Sequence, residues 1–311
     1  MHIPRATYRL QFTPAFGFRQ AEAAIPYLSA LGVSDLYASP IFEAVPGSLH
    51  GYDVTDPNRL NPELGTPQEF ESLMAAVRAH RMAWLQDIVP NHMAFHRENR
   101  MLMDVLEKGS QSEYANFFDI RNRARSGEKP PPVVIGSLGE TLEQAVDERK
   151  LQIAYEKGRL YAAYFELKYP LAWHSYAQAL SFERATPLEL KDLLRTLDTP
   201  EEPTAAKEQA VRDIRKLYHD NLEARAYIDQ RIDLLNNAEG TGRDTLKELL
   251  SQQNFRLTFW RDANAQGNYR RFFHLPEFIA VNMGRREVFE RTHRLIFELV
   301  EKGYFQGLRI D

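Results

Sequence analysis

Alternation and helical spacing give the start of the chain a simple rhythm. Ala6-Thr7-Tyr8-Arg9-Leu10-Gln11-Phe12 alternates and contains strand formers, which predicts a first strand. Phe18, Ala21, Ile25, Leu28 and Leu31 recur at helical spacing, and Gly32 follows as a residue tolerant of positive φ. Pro26 within that span predicts a kink or a break. Val33 to Ala38 reads as a second strand, closed by Ser39-Pro40. Thr66-Pro67-Gln68-Glu69 opens another helix with a capping residue, an N1 proline and a capping-box acid. Phe70, Leu73, Met74 and Val77 form its apolar face. Trp84 to Val89 is a third, largely apolar strand stopped by Pro90, as in parallel sheets covered on both faces. Strand, helix, strand, helix, strand at this spacing predicts parallel βαβ units with right-handed crossovers.

After His92 the rhythm breaks. The stretch 121–132 is charged and proline-rich, which predicts a loop. Residues 151–155 and 159–165 flank Glu156-Lys157-Gly158 as a β-hairpin. Helices are predicted over 188–197 and, as one long polar helix, over 204–235, with Val211, Ile214, Leu217 and Leu222 as a narrow apolar stripe. Val288, Phe289, Thr292, Ile296, Leu299 and Val300 then give one helix face, Gly303 caps it, and Phe305 to Asp311 reads as a fourth strand. The expected organisation is therefore 1–94 with strands one to three and their helices, 95–280 as a helix-rich insertion lobe with a hairpin, and 281–311 with a helix and strand four.

Composition narrows the classes. The 311 residues are 43% hydrophobic and 26% charged with a net charge of -4, an ordinary balance for a soluble globular chain. No basic excess points to nucleic acid, and no run approaches a membrane span, so neither partner is expected. The start, Met1-His2-Ile3-Pro4-Arg5, lacks the apolar core of a secretory signal, and the cytoplasm is the default compartment. With no cysteine there are no disulfides and no thiolate metal sites. The plentiful aromatics (18 Phe, 14 Tyr, 3 Trp) suit a core and equally a carbohydrate site.

Candidate chemistry sits at strand ends. Period-2 alternation puts Leu85, Asp87 and Val89 on one face of the third strand, and a carboxylate there is costly unless paired, hydrogen-bonded or working. On its own Asp87 reads equally as a cap for the following turn. Arg309 and Asp311 share the inward face of the fourth strand, while Leu308 and Ile310 point toward covering helices. The cation would lower the carboxylate pKa, which suits a nucleophile; a structural ion pair is the alternative. The long loop 41–67 carries His50-Gly51-Tyr52-Asp53, and a loop of that length usually has a function.

Three of these stretches carry a resemblance. Asp87-Ile88-Val89-Pro90-Asn91-His92 resembles the first sequence region of the α-amylase family. Gly307-Leu308-Arg309-Ile310-Asp311 resembles its second, and His50-Gly51-Tyr52-Asp53 with Asn61-Pro62-Glu63-Leu64-Gly65-Thr66 is similar to the stretch between its second and third strands. The resemblance implies an α/β fold: the N-terminal half, strands 1–4, of a (β/α)8 TIM barrel with a large, mainly helical insertion after strand 3. It implies Asp311 as nucleophile and Arg309 as the group that sets its charge and aim. It further implies Asp87 and His92 lining the subsite of the attacked glucose, with Tyr52 stacking beneath the ring. His50 is left as either loop-structural or substrate-binding. Asn91 matches a position that binds calcium in many relatives, but no further ligand set is visible, so no metal and no cofactor is expected.

Thr7-Tyr8-Arg9-Leu10-Gln11, Ser39-Pro40-Ile41-Phe42 with Pro46-Gly47-Ser48, Asn268-Tyr269-Arg270-Arg271-Phe272-Phe273 and the size of the insertion are similar to one branch of the family. Its members are retaining mutases that turn the reducing-end α-1,4 bond of a maltooligosaccharide into an α,α-1,1 bond. A hydrolase or another transglucosylase on α-1,4-glucans, and a catalytically silent glucan-binding protein, remain open. Retaining chemistry also needs a second carboxyl about 5–5.5 Å from the nucleophile. In the family that group lies on a later strand, which leads to the expectation that this chain is a fragment of a longer enzyme and inactive alone.

Overall fold

Trp84 sits at the centre of the first of two units into which the chain divides. A computed structural model describes residues 3–121, 130–181, 186–237, 241–273 and 275–311. Most of the loop expected over 121–132 lies outside the described residues. The first unit comprises Met1–Arg100, Asn116–Asp119 and Arg270–Asp311; the second comprises Met101–Ala115 and Ile120–Tyr269.

The main elements of the first unit are β1 (Thr7–Leu10), α1 (Phe18–Ala30), β2 (Asp35–Ala38), α2 (Pro67–Ala79), β3 (Ala83–Ile88), α3 (Arg286–Thr292), α4 (Arg294–Glu301) and β4 (Gly307–Ile310). The strands form one sheet in the order β1-β2-β3-β4, with every neighbouring pair parallel. This is the order that the βα rhythm predicts. On the helix side, Phe12, Phe18, Phe70 and Trp84 form a closed ring of contacts, with centroids 5.8 Å (Phe12–Phe18), 5.3 Å (Phe18–Phe70), 6.5 Å (Phe70–Trp84) and 6.0 Å (Phe12–Trp84) apart. The indole N–H of Trp84 donates to Gln86 Oε1 at 3.0 Å, so this ring is buried with no polar debt.

The helix signals are read correctly where they are local. Thr66 accepts from the Glu69 amide at 3.2 Å and its own amide donates to Glu69 Oε2 at 2.8 Å, the reciprocal pair of a capping box. Gly32 takes φ 91° just after α1. Pro26 neither ends α1 nor reaches the core; it lies on the exposed face and the helix runs on to Ala30. Leu31 was expected on the buried face but is exposed, because it lies beyond the last helical residue where the chain turns into Gly32. The single helix expected over 288–300 is two helices, α3 and α4. His293 (φ −103°, ψ 4°) breaks it, so Phe289 and Val300 do not share the buried stripe of Val288, Ile296 and Leu299. In β4, Leu308 packs on the core as expected, but Ile310 is 68% exposed, since no described helix covers it.

Short pairings escaped the sequence reading. Phe42–Ala44 pairs antiparallel with Val54–Leu60 inside the long loop, and His92–Ala94 pairs antiparallel with Phe278–Ala280. Phe42–Ala44, His92–Ala94 and Phe278–Ala280 are three residues each, too short to display a period, and Pro57 interrupts the seven-residue Val54–Leu60.

The second unit holds a three-stranded antiparallel sheet, Leu151–Glu156, Arg159–Tyr164 and Leu167–Pro170. Its first turn is the expected hairpin, with Lys157 and Gly158 both at positive φ (52° and 88°), as a two-residue turn matched to strand twist requires. Val133–Leu138 pairs in parallel with Phe255–Phe259, a contact across more than 110 residues that no local pattern could announce. The remainder is mainly helical. The long helix expected over 204–235 is two, Thr204–Asp220 and Leu222–Asn237; Asn221 leaves the helical region (φ −119°, ψ 108°) and its side chain accepts from the Ala224 amide at 3.0 Å. Leu222 is consequently 79% exposed.

Because Trp84 packs against Phe12 and, from α2, Phe70, and is wholly buried, Trp84→Ala should lower the stability of the first unit by about 3–5 kcal/mol. Urea unfolding followed by near-ultraviolet circular dichroism would register this as a lower midpoint. A midpoint within error of the parent would contradict the packing described.

Candidate active site

The opposite face of the same sheet is polar. Period-2 alternation in four parallel strands places one side chain from each on this face: Arg9 from β1, Tyr37 from β2, Asp87 from β3 and Arg309 from β4. Arg9 lies opposite Tyr37 and Arg309 opposite Asp87 in the strand register. The Arg9 guanidinium stands 4.7 Å from the Tyr37 ring centroid.

Asp87 is the hub, with 0% exposure. Its Oδ2 accepts from Tyr37 Oη at 2.8 Å and from Tyr52 Oη at 2.6 Å, and its Oδ1 accepts from Arg309 Nη1 at 3.0 Å. Arg9 Nη1 lies 3.5 Å from Oδ2, and Arg9 Nη2 donates to Tyr52 Oη at 3.3 Å. Arg309 Nη1 also donates to Asp311, so one guanidinium nitrogen is shared between two carboxylates. The Asp311 amide donates to the Ile88 carbonyl at 3.0 Å, continuing the strand pairing to the residue that bears the carboxylate.

These contacts set the protonation states of the donors. Burial, reinforced by hydrogen bonding to Asp87, pushes the Tyr37 and Tyr52 hydroxyls above their ordinary value, so both stay protonated donors. Hydrogen bonds to Asp87 and then to Asp311 raise Arg309. For Arg9 burial works downward, but Tyr52, Tyr37 and the Asp87 carboxylate together outweigh it. Asp87 is thus surrounded by hydrogen-bond donors from four separate segments.

His92 is treated differently by the fold. It is 1% exposed, stacked on Phe272 (centroids 4.1 Å apart, planes at 19°) and 4.6 Å from Phe278. Among the described residues neither ring nitrogen has a hydrogen-bond partner. The Tyr52 backbone pulls the His92 pKa upward without meeting hydrogen-bond geometry. Burial dominates and lowers the pKa against the pull of Asp311, leaving a neutral imidazole with both nitrogens open. Buried polar atoms are nearly always paired, so this one is an acceptor and donor in want of a partner.

His50 is not in the network. Its side chain is half exposed, its Nδ1 accepts from the Tyr52 amide at 3.0 Å, and it lies 3.7 Å from Asp53. It shapes the loop that delivers Tyr52. Gly51 beside it takes φ 74°, and a Cβ there would stand 2.7 Å from the Pro40 carbonyl oxygen. Among the sequence candidates, Tyr52, Asp87, Arg309 and Asp311 are joined by hydrogen bonds, His92 lies within the field of Asp311, and His50 stays in the loop. Arg9 and Tyr37 were missed. The parity argument that singled out Asp87 and Arg309 applies equally to β1 and β2 and would have found them. Among the described residues, no group of three or more His, Asp or Glu side chains is placed to hold a metal ion. No helix among them is long and apolar enough to cross a membrane.

Comparison with known proteins bears directly on this face. The family described as alpha amylase, catalytic domain, matches residues 22–167. A Mycobacterium tuberculosis protein named as a maltooligosyl trehalose synthase is 29% identical over 313 residues, covering 98% of this chain and 30% of that protein. The solved maltooligosyltrehalose synthase from Arthrobacter ramosus aligns with a TM-score of 0.68 at 28% identity, over 99% of this chain and 31% of its own. This chain resembles the maltooligosyl trehalose synthases of the α-amylase family. It spans about a third of the length of these synthases. A shorter match, 34% over 98 residues, links it to the intracellular maltogenic amylase of Bacillus subtilis. The likeness to the synthases agrees with a partial TIM-barrel-like α/β fold, with the polar cluster at the C-terminal end of its parallel strands, where such folds place their chemistry.

The state of His92 has a measurable consequence. Its folded pKa lies below the ordinary 6.5, so the unfolded chain binds that proton more readily. The stability contribution is complete above the ordinary value and is lost as pH falls through it toward the folded pKa. Burial shifts His96 and His293 in the same direction, so His92→Phe should flatten part of the slope of stability between about pH 7 and about pH 5, leaving the rest. Denaturation midpoints across that range would decide; an unchanged slope would mean that His92 protonates freely in the folded protein.

Proposed function

We propose that the protein carrying this chain is a retaining glucosyl mutase. It rearranges the reducing-end α-1,4 bond of a maltooligosaccharide into an α,α-1,1 bond, leaving a terminal trehalosyl unit. Asp311 attacks the anomeric carbon on the non-reducing side of the last bond, the bond to the leaving O4 breaks, and a glucosyl-enzyme ester forms. The freed glucose, held in place, then attacks the same carbon through its own anomeric hydroxyl and releases Asp311. Arg309 holds Asp311 aimed through the nitrogen that it shares with Asp87. His92 and Tyr52 hold the glucosyl ring, His92 through nitrogens that have no partner among the described residues, and Asp87 lines the same subsite by fixing Tyr52 and Arg309.

The single observation that carries this reading is the shared Arg309 nitrogen. It draws Asp311 against the fully buried Asp87, beside a neutral histidine whose polar atoms await a ligand. Asp87 is saturated by its partners and cannot serve as the acid/base carboxyl about 5–5.5 Å away that a double displacement requires, so that role falls to a residue outside this network. Likeness along 98% of the chain to a synthase of this type supports the mutase over other glucan chemistry.

In the whole protein, Asp311→Asn preserves shape and removes the nucleophilic charge. Turnover should fall by on the order of 10⁴-fold while maltooligosaccharide binding persists. Asp87→Ala should weaken binding and turnover together. With maltopentaose as substrate, a mutase lowers the count of reducing ends, an amylase-type hydrolase raises it, and a glucan-binding protein leaves it unchanged. A near-parental rate in Asp311→Asn, or a rise in reducing ends, would end the proposal.

A further inference from the structure

Tyr52 reaches the polar face from a loop, and a loop side chain keeps its aim only if something outside the loop fixes it. Its hydroxyl is committed to the protein. The proton goes to Asp87 Oδ2 at 2.6 Å, and the oxygen accepts from Arg9 Nη2 at 3.3 Å. What Tyr52 offers a ligand is therefore chiefly the face of its ring, with the hydroxyl as the far anchor of that ring. At the near end, the Tyr52 amide donates to His50 Nδ1 and the Gly51 amide to Ser48 Oγ, each at 3.0 Å. Both bonds lie within the loop tip and do not tie it to the sheet.

Gln11 supplies such a tie. It follows β1 by one residue and shares the parity that aims Arg9 at the polar face. Arg9 Nη2 donates to Gln11 Oε1 at 3.1 Å, and Gln11 Nε2 donates to the Leu49 carbonyl at 3.2 Å. A guanidinium donates and never accepts, so it must face Oε1, which turns the amide nitrogen toward a carbonyl. Donor meets acceptor at every step from Arg9 through Gln11 to Leu49. The two N–H groups of that one Arg9 nitrogen match its two acceptors, the Gln11 amide and the Tyr52 hydroxyl. Arg9 is itself propped, with its guanidinium 4.7 Å from the Tyr37 ring centroid. The stretch Thr7-Tyr8-Arg9-Leu10-Gln11 thus reaches the loop tip at two points, and the reaction steps above use neither.

We propose that Arg9 and Gln11 are positioning residues: together they fasten the tip of the loop, residues 48–53, to β1, so that Tyr52 presents its ring to the reacting glucose at a fixed distance and tilt. The glucose rests on the function proposed above; the fastening does not.

Gln11 is the residue to change, since it is exposed and its hydrogen bonds go to Arg9, Leu49 and Phe12 rather than to either carboxylate. In the whole protein acting on maltopentaose, Gln11→Met should lower kcat by about tenfold and change KM by less than about twofold, because the other glucose units still bind while the reacting ring is misaligned. Tyr52→Phe removes the far anchor, so adding Gln11→Met to it should cost less than about twofold more. A variant that merely unfolds part of the protein would lower kcat alike in both backgrounds. Fluorine NMR with 3-fluorotyrosine in place of Tyr52 reads the anchor without substrate, and Gln11→Met should displace or broaden that line. If the line responds but the parent protein leaves the reducing ends of maltopentaose unchanged or raises them, the function assigned above fails and the fastening stands. If the line does not respond, or if an active protein shows an unchanged kcat in Gln11→Met or the same loss beside Tyr52→Phe as alone, the inference is overturned.

Discussion

A carboxylate without access to water is the constraint on which the first unit turns. Stripping Asp87 of solvent would cost several kcal/mol if nothing replaced it. What replaces it comes from four separate segments: a guanidinium from β1, a hydroxyl from β2, a hydroxyl from the loop before α2, and a guanidinium from β4. Each donor is useful only if its strand lies in register with β3. A one-residue slip would send Arg9, Tyr37 or Arg309 to the aromatic side and leave Asp87 unpaired. The charge therefore specifies the sheet as much as the sheet holds the charge.

The two faces of that sheet divide the work. The closed set of Phe12, Phe18, Phe70 and Trp84 supplies apolar burial and fixes how the helices lie on the strands. The polar face is nearly neutral in sum, with Arg9 and Arg309 against Asp87 and Asp311, yet its satisfaction is uneven. Asp87 has every partner it can use, whereas His92 is clamped between aromatic rings with its nitrogens open. Pre-paid orientation of the first and unmet hydrogen bonding of the second are what a ligand-binding surface needs.

The same accounting applies to Arg159 and Glu107 in the second unit, where the guanidinium nitrogen lies 2.9 Å from the carboxylate. A buried acid beside a cation needs no further explanation, because each answers the other.

What the amino-acid order determined on its own is whatever depends on near neighbours. The capping box at Thr66, the turn at Lys157-Gly158, the φ of Gly32, and the parity that aims Asp87 and Arg309 to one side are all consequences of spacing along a few residues. Four parallel strands in chain order followed from the same spacing, and so did the motifs that carry the family likeness. The helix breaks at Asn221 and His293 did not, since a single residue leaving the helical region barely disturbs an apolar stripe. Nor did the pairing of Val133–Leu138 with Phe255–Phe259, whose partners are remote in the chain. Arg9 and Tyr37 were legible in principle and overlooked. That they close on Asp87, that His50 does not, and that Phe272 stacks on His92 from some 180 residues away were decided only by tertiary structure. The reason is physical: hydrogen bonds and ring contacts depend on distances in space, and alternation along a strand fixes a direction without fixing what will be found there.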